Sequence, residues 1–224
     1  MIRTVNISLD SQSWPALGVP NEIEALTGYR ETDILLVLLH TALWTRPPEI
    51  TGFHLADFWA FLRYAPAVSE AQRLRLRPEW AAIDPHQKTI LSDELGTGFT
   101  TELLASELNI VYFADTLYWI RVVAPEDFQI GNGSQIGPRK SPDYLGLDRD
   151  GRYCVLECKG TQTSHRVLLR AMGRGVDQKA NIATQNPAAV RFSLVAGLFI
   201  PQWDSLEDAC IHLRDPEWKR LIPF

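Results

Sequence analysis

Residues 143–160 read DYLGLDRDGRYCVLECKG, and they decide the fold class of this 224-residue chain. Asp150-Gly151 is a good signal for a tight turn, and runs of strand length lie on both sides of it. We therefore predict a β-hairpin with arms at residues 143–147 and 153–159. The second arm is mostly apolar, which is typical of a strand buried on both faces.

Two charged residues, Glu157 and Lys159, interrupt this apolar arm. Because they are two residues apart on a strand, they point to the same side, whereas Cys158 points to the other. Asp143 and Glu157 lie at similar distances from the turn, so we expect them to be near each other across the hairpin. Two adjacent carboxylates repel unless a cation or a proton lies between them. Mg²⁺ suits such a place, since it takes oxygen ligands and keeps several waters for a substrate.

Pro142-Asp143 followed by Glu157-x-Lys159 resembles the motif of the PD-(D/E)xK nuclease superfamily, which has the restriction-endonuclease-like fold. The resemblance covers roughly residues 84–200 and includes the hairpin and the glycine after the lysine. It implies a metal-dependent phosphodiester hydrolase. Mg²⁺, or Mn²⁺ as a substitute, would be bound by Asp143, Glu157 and the backbone carbonyl of Cys158. Lys159 would polarise the attacking water and stabilise charge in the transition state.

The same family often has a further Glu on the helix that precedes the sheet. We predict that helix over residues 88–108, where Glu94 and Glu102 are the two candidates. Glu94 is favoured because it lies at the edge of the apolar stripe, beside Gly96 and Gly98. A close backbone approach by another element would explain these two glycines. The alternative for either Glu is an ordinary solvated or capping side chain.

The family also often places a Gln or a Lys on the helix after the motif strand. Gln178 and Lys179 occupy that position, and either would hold the water or a phosphate oxygen. Arg166, Arg170 and Arg174 recur every four residues and form one basic stripe if the segment is helical. Beside a nuclease site this stripe is a candidate phosphate track, although a solvated face is nearly as good an interpretation.

The distribution of charge also favours the segment around the motif as the part of the chain that contacts nucleic acid. The net charge of −5 and the pI of about 5.6 argue against binding nucleic acid by bulk charge alone. Residues 139–179, however, contain nine Lys or Arg against five Asp or Glu. We therefore expect a nucleic-acid substrate, with DNA favoured. The acidic remainder suggests a protein partner or a second copy of the chain.

The other segments predict an α/β or α+β domain with a mixed sheet flanked by helices. Residues 1–84 are expected to form a mainly helical region, and residues 85–224 the nuclease-like domain. Residues 111–123 and 193–200 are expected to be strands. No segment approaches the ~20 apolar residues of a membrane-spanning helix, and a signal-peptide pattern is lacking, so a cytoplasmic protein is expected. The three cysteines are expected to be small buried side chains.

Three functional hypotheses follow from these residues. The first is an active nuclease that serves as the cleavage module of a restriction or antiphage defence system, a setting inferred from family analogy alone. The second is an inactive nuclease-like binding or structural subunit, against which the intact Asp143, Glu157 and Lys159 argue. The third is a chance motif in an unrelated α/β protein, with Glu157 and Lys159 forming a structural ion pair.

Overall fold

The structure is a computed structural model, and it describes residues 1–14, 18–130 and 141–215. Helices and strands follow one another along the chain. In chain order they are β1 (Ile2–Leu9), α1 (Asn21–Glu24), β2 (Gly28–Asp33), α2 (Ile34–Trp44), α3 (Trp59–Tyr64), α4 (Pro85–Leu108), β3 (Ile110–Asp115), α5 (Thr116–Tyr118), β4 (Phe128–Ile130), β5 (Tyr144–Asp148), β6 (Tyr153–Thr161), α6 (His165–Lys179), β7 (Ile182–Thr184), β8 (Val190–Phe199) and β9 (Cys210–Arg214).

Within the described residues, seven strands form one mixed sheet in the order β2-β1-β9-β8-β6-β5-β3. β1 runs parallel to β9, and β6 runs parallel to β8. The other neighbours in the sheet are antiparallel. β4 and β7 form a separate two-stranded ribbon. The predicted α/β class with a mixed sheet is confirmed.

Helices and the ribbon cover the two faces of the sheet. On the face covered by α2 and α4, Leu156 of β6 and Leu194 of β8 belong to the main core. On the opposite face, Val155 packs with the residues of the ribbon, and Val195 packs with α6. Adjacent residues of one strand thus enter different cores, as expected for strands buried on both faces.

The predicted hairpin is formed by β5 and β6. Gly151 in its turn has a φ of 78°, a backbone conformation that glycine adopts without strain. Tyr144 pairs with Leu156 in the antiparallel ladder. Asp143 and Glu157, one residue further out on each strand, therefore lie next to each other at the open end of the hairpin.

Two glycines allow α4 to lie close to its neighbours. A Cβ atom on Gly96 would lie 2.8 Å from the carbonyl oxygen of Lys159, and one on Gly98 would lie 2.7 Å from the carbonyl oxygen of Val37. Neither position leaves room for a side chain. The close backbone approach predicted for these glycines is confirmed, and it involves β6 for the first and α2 for the second.

The N-terminal region differs from the mainly helical region predicted for residues 1–84. The helices α2 and α3 are present, but β1 and β2 extend the main sheet at one edge. Val5 and Ile7 of β1 belong to the same core as Ile211 of β9. β1 has a strand pattern of its own, in which Val5, Ile7 and Leu9 alternate with polar residues, and the expectation for residues 1–84 did not use it.

The predicted strand at residues 111–123 is only half correct. β3 ends at Asp115, whose carboxylate accepts a hydrogen bond from the Tyr118 N–H at 2.9 Å and caps α5. A π-helical turn, Trp119–Val123, follows. A side chain that satisfies free backbone N–H groups favours the start of a helix, and here it outweighs the strand propensity of the apolar residues.

Two further expectations concern the burial of the cysteines and the membrane-spanning potential of the helices. Cys154, Cys158 and Cys210 are free and buried, as predicted. Of the helices in the part of the chain that the structure describes, none combines the length and the apolar character needed to cross a membrane.

Candidate active site

Asp143, Glu157 and Lys159 come together at the open end of the hairpin. The Asp143 N–H donates to Glu157 Oε2 at 3.1 Å, and the Cys158 N–H donates to Asp143 Oδ2 at 2.8 Å. Lys159 Nζ donates to Glu157 Oε1. The three side chains and the Cys158 peptide form one hydrogen-bonded group, which we call the carboxylate cluster. The Cys158 peptide takes part through its N–H, and the carbonyl ligand implied by the family resemblance stays a prediction.

Burial shapes the charges of the carboxylate cluster. The Glu157 side chain is 0% exposed, whereas that of Lys159 is 21% exposed. Burial, and then the charge of Asp143, raise the pKa of Glu157 to about 7. Burial also raises the pKa of Asp143. Burial disfavours the charged form of Lys159, but the two carboxylates outweigh it and raise the lysine pKa. Two carboxyl groups thus face one ammonium, and the excess negative charge favours a bound proton or cation.

Helix α6 passes directly over this cluster. A Cβ atom on Gly175 would lie 3.1 Å from Glu157 Cγ and 3.5 Å from Lys159 Cε. Gln178 lies three residues further along α6, on the same side of the helix, and is partly buried. Gln178 is therefore near the cluster only by its position relative to Gly175, and its role toward water or phosphate stays a prediction.

Lys179, the alternative to Gln178, lies elsewhere. Its ammonium donates to Asp215 Oδ1 at 3.0 Å and also to the Ser193 carbonyl. The side chain is only 4% exposed. The prediction that Lys179 could hold a phosphate oxygen is wrong, because its ammonium is already engaged in this buried ion pair. Lys179 and Gln178 flank the direction of Gly175 on opposite sides of α6, at about 40° and about 60° from it.

The predicted basic stripe lies on the exposed side of α6. Arg166, Arg170 and Arg174 are all exposed, so they remain available to a phosphate backbone. Arg139 and Lys140, which contribute to the positive balance of residues 139–179, lie outside the described residues.

Glu94, the helix carboxylate favoured from the sequence, contacts Tyr64 rather than the carboxylate cluster. The Tyr64 hydroxyl donates to Glu94 Oε2, and burial raises the pKa of Glu94 against the effect of this bond. Glu102 lies in a different environment, where burial and the charge of Glu107 raise its pKa and Arg30 lowers it. The structure thus directs neither of the two predicted carboxylates to the cluster.

Asp93 occupies the position that we expected for Glu94. Desolvation raises the pKa of Asp93, and the nearby Lys159 ammonium opposes this rise. A Cβ atom on Gly160 would lie 1.8 Å from the Ser92 carbonyl oxygen, so the Ser92 side of α4 faces β6. At about 100° per residue, Asp93 lies beside that side and Glu94 lies nearly opposite. The glycine after the motif lysine was the signal from which this contact could have been found.

An open cleft of about 490 Å³ leads to Asp143. One wall carries Asp115 at the end of β3 and Tyr144 at the start of β5. The other wall carries Trp44 at the end of α2 and Arg46 in the loop that follows. The N-terminal region had no functional interpretation from the sequence, and it supplies this second wall.

The donor atoms of the cluster suit a hard divalent cation. Among residues 1–14, 18–130 and 141–215, no group of three or more His, Cys, Asp or Glu side chains is arranged to hold a metal. Mg²⁺, however, commonly uses one or two protein carboxylates and keeps several waters. Asp143 and Glu157 supply such a pair, and a cation would relieve the repulsion that raises the pKa of Glu157.

Comparison with known proteins adds no relative. No protein-family model, no curated protein and no solved structure matches this chain. The resemblance to PD-(D/E)xK nucleases therefore rests on the motif residues of the sequence.

Proposed function

We propose that this protein is a metal-dependent nuclease of the PD-(D/E)xK type that hydrolyses phosphodiester bonds, with DNA as the favoured substrate. The supporting observation is the carboxylate cluster itself, in which Asp143 joins Glu157 and Lys159 from 14 residues earlier in the chain. The cluster also borders an open cleft. A merely structural Glu157–Lys159 pair gives no reason for a second, half-buried carboxylate beside it, because that carboxylate adds repulsion.

The proposed chemistry divides between the carboxylates and the lysine. Asp143, Glu157 and the Cys158 carbonyl would hold Mg²⁺, or Mn²⁺ in its place. A bound cation of this kind lowers the pKa of a coordinated water and polarises the phosphoryl oxygen. Lys159 stays protonated at neutral pH because Asp143 and Glu157 raise its pKa. Its ammonium stabilises negative charge as the water oxygen forms the new P–O bond and the sugar oxygen leaves.

Asp93 and Gln178 would assist these groups. Asp93 lies beside Lys159 and would take the part that the family gives to a helix Glu. Gln178, three residues after the Gly175 that contacts the cluster, would orient the attacking water. The biological setting that we favour, a restriction or antiphage system in the cytoplasm acting with a protein partner or a second copy, is an analogy with the family.

Cleavage of plasmid and linear DNA in Mg²⁺, Mn²⁺ or EDTA tests this function. We expect cleavage with either metal and none in EDTA. Asp143→Asn should abolish both cleavage and metal binding measured by calorimetry. Asp150→Asn is the matched control, because Asp150 is an exposed carboxylate in the turn at the other end of the same hairpin. An Asp143→Asn variant that cuts DNA at the wild-type rate would contradict the proposal.

One observation favours a second function, that of an inactive nuclease-like binding or structural subunit. The ammonium of Lys159 is bonded directly to Glu157, and the described residues present no ready three-ligand metal group. This alternative predicts that the wild-type protein binds DNA but does not cut it with either metal. The same cleavage assay therefore separates the two functions.

A further inference from the structure

We infer that the cleft beside Asp143 is a subsite for an unpaired nucleobase, and that the substrate is single-stranded DNA. This inference rests on the proposed nuclease function and concerns the form of nucleic acid that the site accepts. It is carried by the cleft, by the way in which Trp44 is held in its wall, and by the charges around it. It also gives the N-terminal region a part in substrate binding.

Trp44 is held in a defined orientation in the wall of the cleft. Its indole N–H donates to His40 Nδ1 at 3.2 Å. Its ring contacts the Phe113 ring edge-on, with 5.5 Å between the centroids. Burial lowers the pKa of His40 to about 4, so this imidazole is a neutral acceptor at physiological pH. An aromatic side chain that is ordered in advance loses little entropy when a base stacks on it.

The charges in the cleft away from the metal ligands disfavour a phosphate group and suit a base. Asp115 lines the cleft beside Asp143, and its carboxylate, which has no part in the proposed metal site, repels the phosphate backbone. The Arg46 guanidinium donates to the Asp57 carboxylate and to the Gly52 carbonyl, so its charge is already compensated within the wall. A neutral base with amino groups meets these requirements, because carboxylates accept hydrogen bonds from base amino groups.

Size and position connect this subsite to the cleavage site. A cleft of about 490 Å³ lies within the usual range of small-ligand sites, roughly 300–1,000 Å³. Asp143 belongs both to the cleft and to the carboxylate cluster, so a base in the cleft belongs to a nucleotide near the scissile phosphate. A duplex would have to extrude that base from its stack, whereas a single strand presents it freely. Selection for single strands follows from this difference.

The test compares the binding of two oligonucleotides in EDTA, where no strand is cut. A fluorescein-labelled 12-nucleotide single strand and a blunt duplex of the same sequence are titrated, and fluorescence anisotropy is recorded. We expect the single strand to bind at least tenfold more tightly.

Trp44→Ala should weaken the binding of the single strand by about tenfold, in the range of a lost base–aromatic stack. Trp44→Phe should stay within about threefold of the wild type because the ring is retained. Trp203→Ala is the matched control, since Trp203 is 53% exposed on a loop away from the cleft and should leave binding unchanged.

Each outcome decides for or against the subsite. Equal binding of single strand and duplex, or unchanged binding by Trp44→Ala, overturns it. If Trp44→Ala does not fold, photo-crosslinking of wild-type protein to a single strand carrying 5-iodouracil gives the answer. Adducts on residues 44–48 support the subsite, and adducts found only elsewhere overturn it. Metal-dependent cleavage of duplex DNA at an unchanged rate by Trp44→Ala would refute the subsite while leaving the nuclease function intact. Trp44-dependent binding without any cleavage would refute the nuclease function instead.

Discussion

One lysine of β6 and one lysine of α6 each form an ion pair with a carboxylate, and the two pairs differ in their surroundings. Lys159 pairs with Glu157 beside the open cleft, and 21% of its side chain is exposed. Lys179 pairs with Asp215, and only 4% of its side chain is exposed. The pKa of Lys159 is raised, because two carboxylates outweigh its burial. The pKa of Lys179 is lowered, because burial outweighs the opposing effect of the Asp215 carboxylate.

We propose that the Lys159–Glu157 pair is reactive and that the Lys179–Asp215 pair is structural. Both pairs place an ammonium against a carboxylate, so the presence of an ion pair does not itself indicate function. The surplus carboxylate of Asp143 beside Lys159, and the fact that Asp143 lines the cleft, distinguish the first pair. Substitutions at Lys159 should therefore alter chemistry, and substitutions at Lys179 should alter stability.

The largest effect is expected for Lys159→Ala. We predict a loss of about 1000-fold in the single-turnover cleavage rate, or about 4 kcal/mol, as for a group that meets developing charge. Folding should be retained, because Glu157 already has a pKa of about 7 and can take up a proton when its partner is lost. Thermal melting and DNA binding in EDTA should stay near wild type. If a folded Lys159→Ala protein cleaves at the wild-type rate, the Lys159–Glu157 pair is structural, like the Lys179–Asp215 pair.

Lys179→Ala should show the opposite behaviour. Removing one partner of a buried pair leaves an uncompensated charge, and we predict a loss of about 3 kcal/mol in the free energy of unfolding. The cleavage rate of the folded protein should not change. The double variant Lys179→Met/Asp215→Leu should recover stability, since it removes both charges together. Urea denaturation measures this effect, with Arg149→Ala, at an exposed position in the hairpin turn, as a surface control. Loss of cleavage in a folded Lys179→Ala protein would remove the contrast between the two pairs.

The raised pKa of Glu157 predicts how stability depends on pH in the metal-free protein. The folded chain keeps a proton on Glu157 up to about pH 7, whereas the unfolded chain releases it near the ordinary value of 4.5. Stability should therefore fall as the pH rises from about 4.5 to about 7, by at most about 3 kcal/mol. Glu157→Gln should reduce this dependence, leaving the part due to Asp143, whose pKa is also raised. Added Mg²⁺ should reduce it too, because a cation favours the charged carboxylates.

Urea denaturation in EDTA at pH 5, 6, 7 and 8 measures this slope. Glu79→Gln is the control, because Glu79 is exposed and should leave the slope unchanged. If Glu157→Gln shows the wild-type slope, the cluster does not hold the excess negative charge that we assign to it.

The parts of the molecule that could be predicted from the sequence are those set by short-range patterns. The hairpin follows from the Asp150-Gly151 turn and from strand patterns within 18 residues, and it alone places Asp143 beside Glu157. The alternation of Val5, Ile7 and Leu9 with polar residues predicts β1 as a strand, but its place beside β9 could not be found in this way, because β9 lies at the other end of the chain. Local periodicity carries no information about such a partner.

The helix residues of the site illustrate a second limit. An apolar stripe shows which side of α4 is buried, but α4 contacts both α2 and β6, and the stripe does not distinguish them. Glu94 was therefore chosen where Asp93 lies beside the cluster. The cleft was also missed, because it forms where the end of α2 meets the start of β5, which no local pattern connects.

The smallest effect is expected on the exposed side of α6, where charge acts at long range rather than within a buried pair. Arg170 is exposed on the basic stripe, and Arg170→Ala should weaken DNA binding without changing the rate of cleavage at saturation. If Arg170 contacts one phosphate, the slope of log Kd against log salt should decrease by about 0.9 for duplex DNA or about 0.7 for a single strand. Arg149→Ala is the control, because Arg149 is exposed in the hairpin turn, at the opposite end of β5 and β6 from the cluster. Titrations between 50 and 200 mM salt, a range over which phosphate contacts lose affinity strongly, resolve a change of about this size. An unchanged slope would show that the stripe is a solvated face, and it would confine the contribution of α6 to the residues that pack on Glu157 and Lys159.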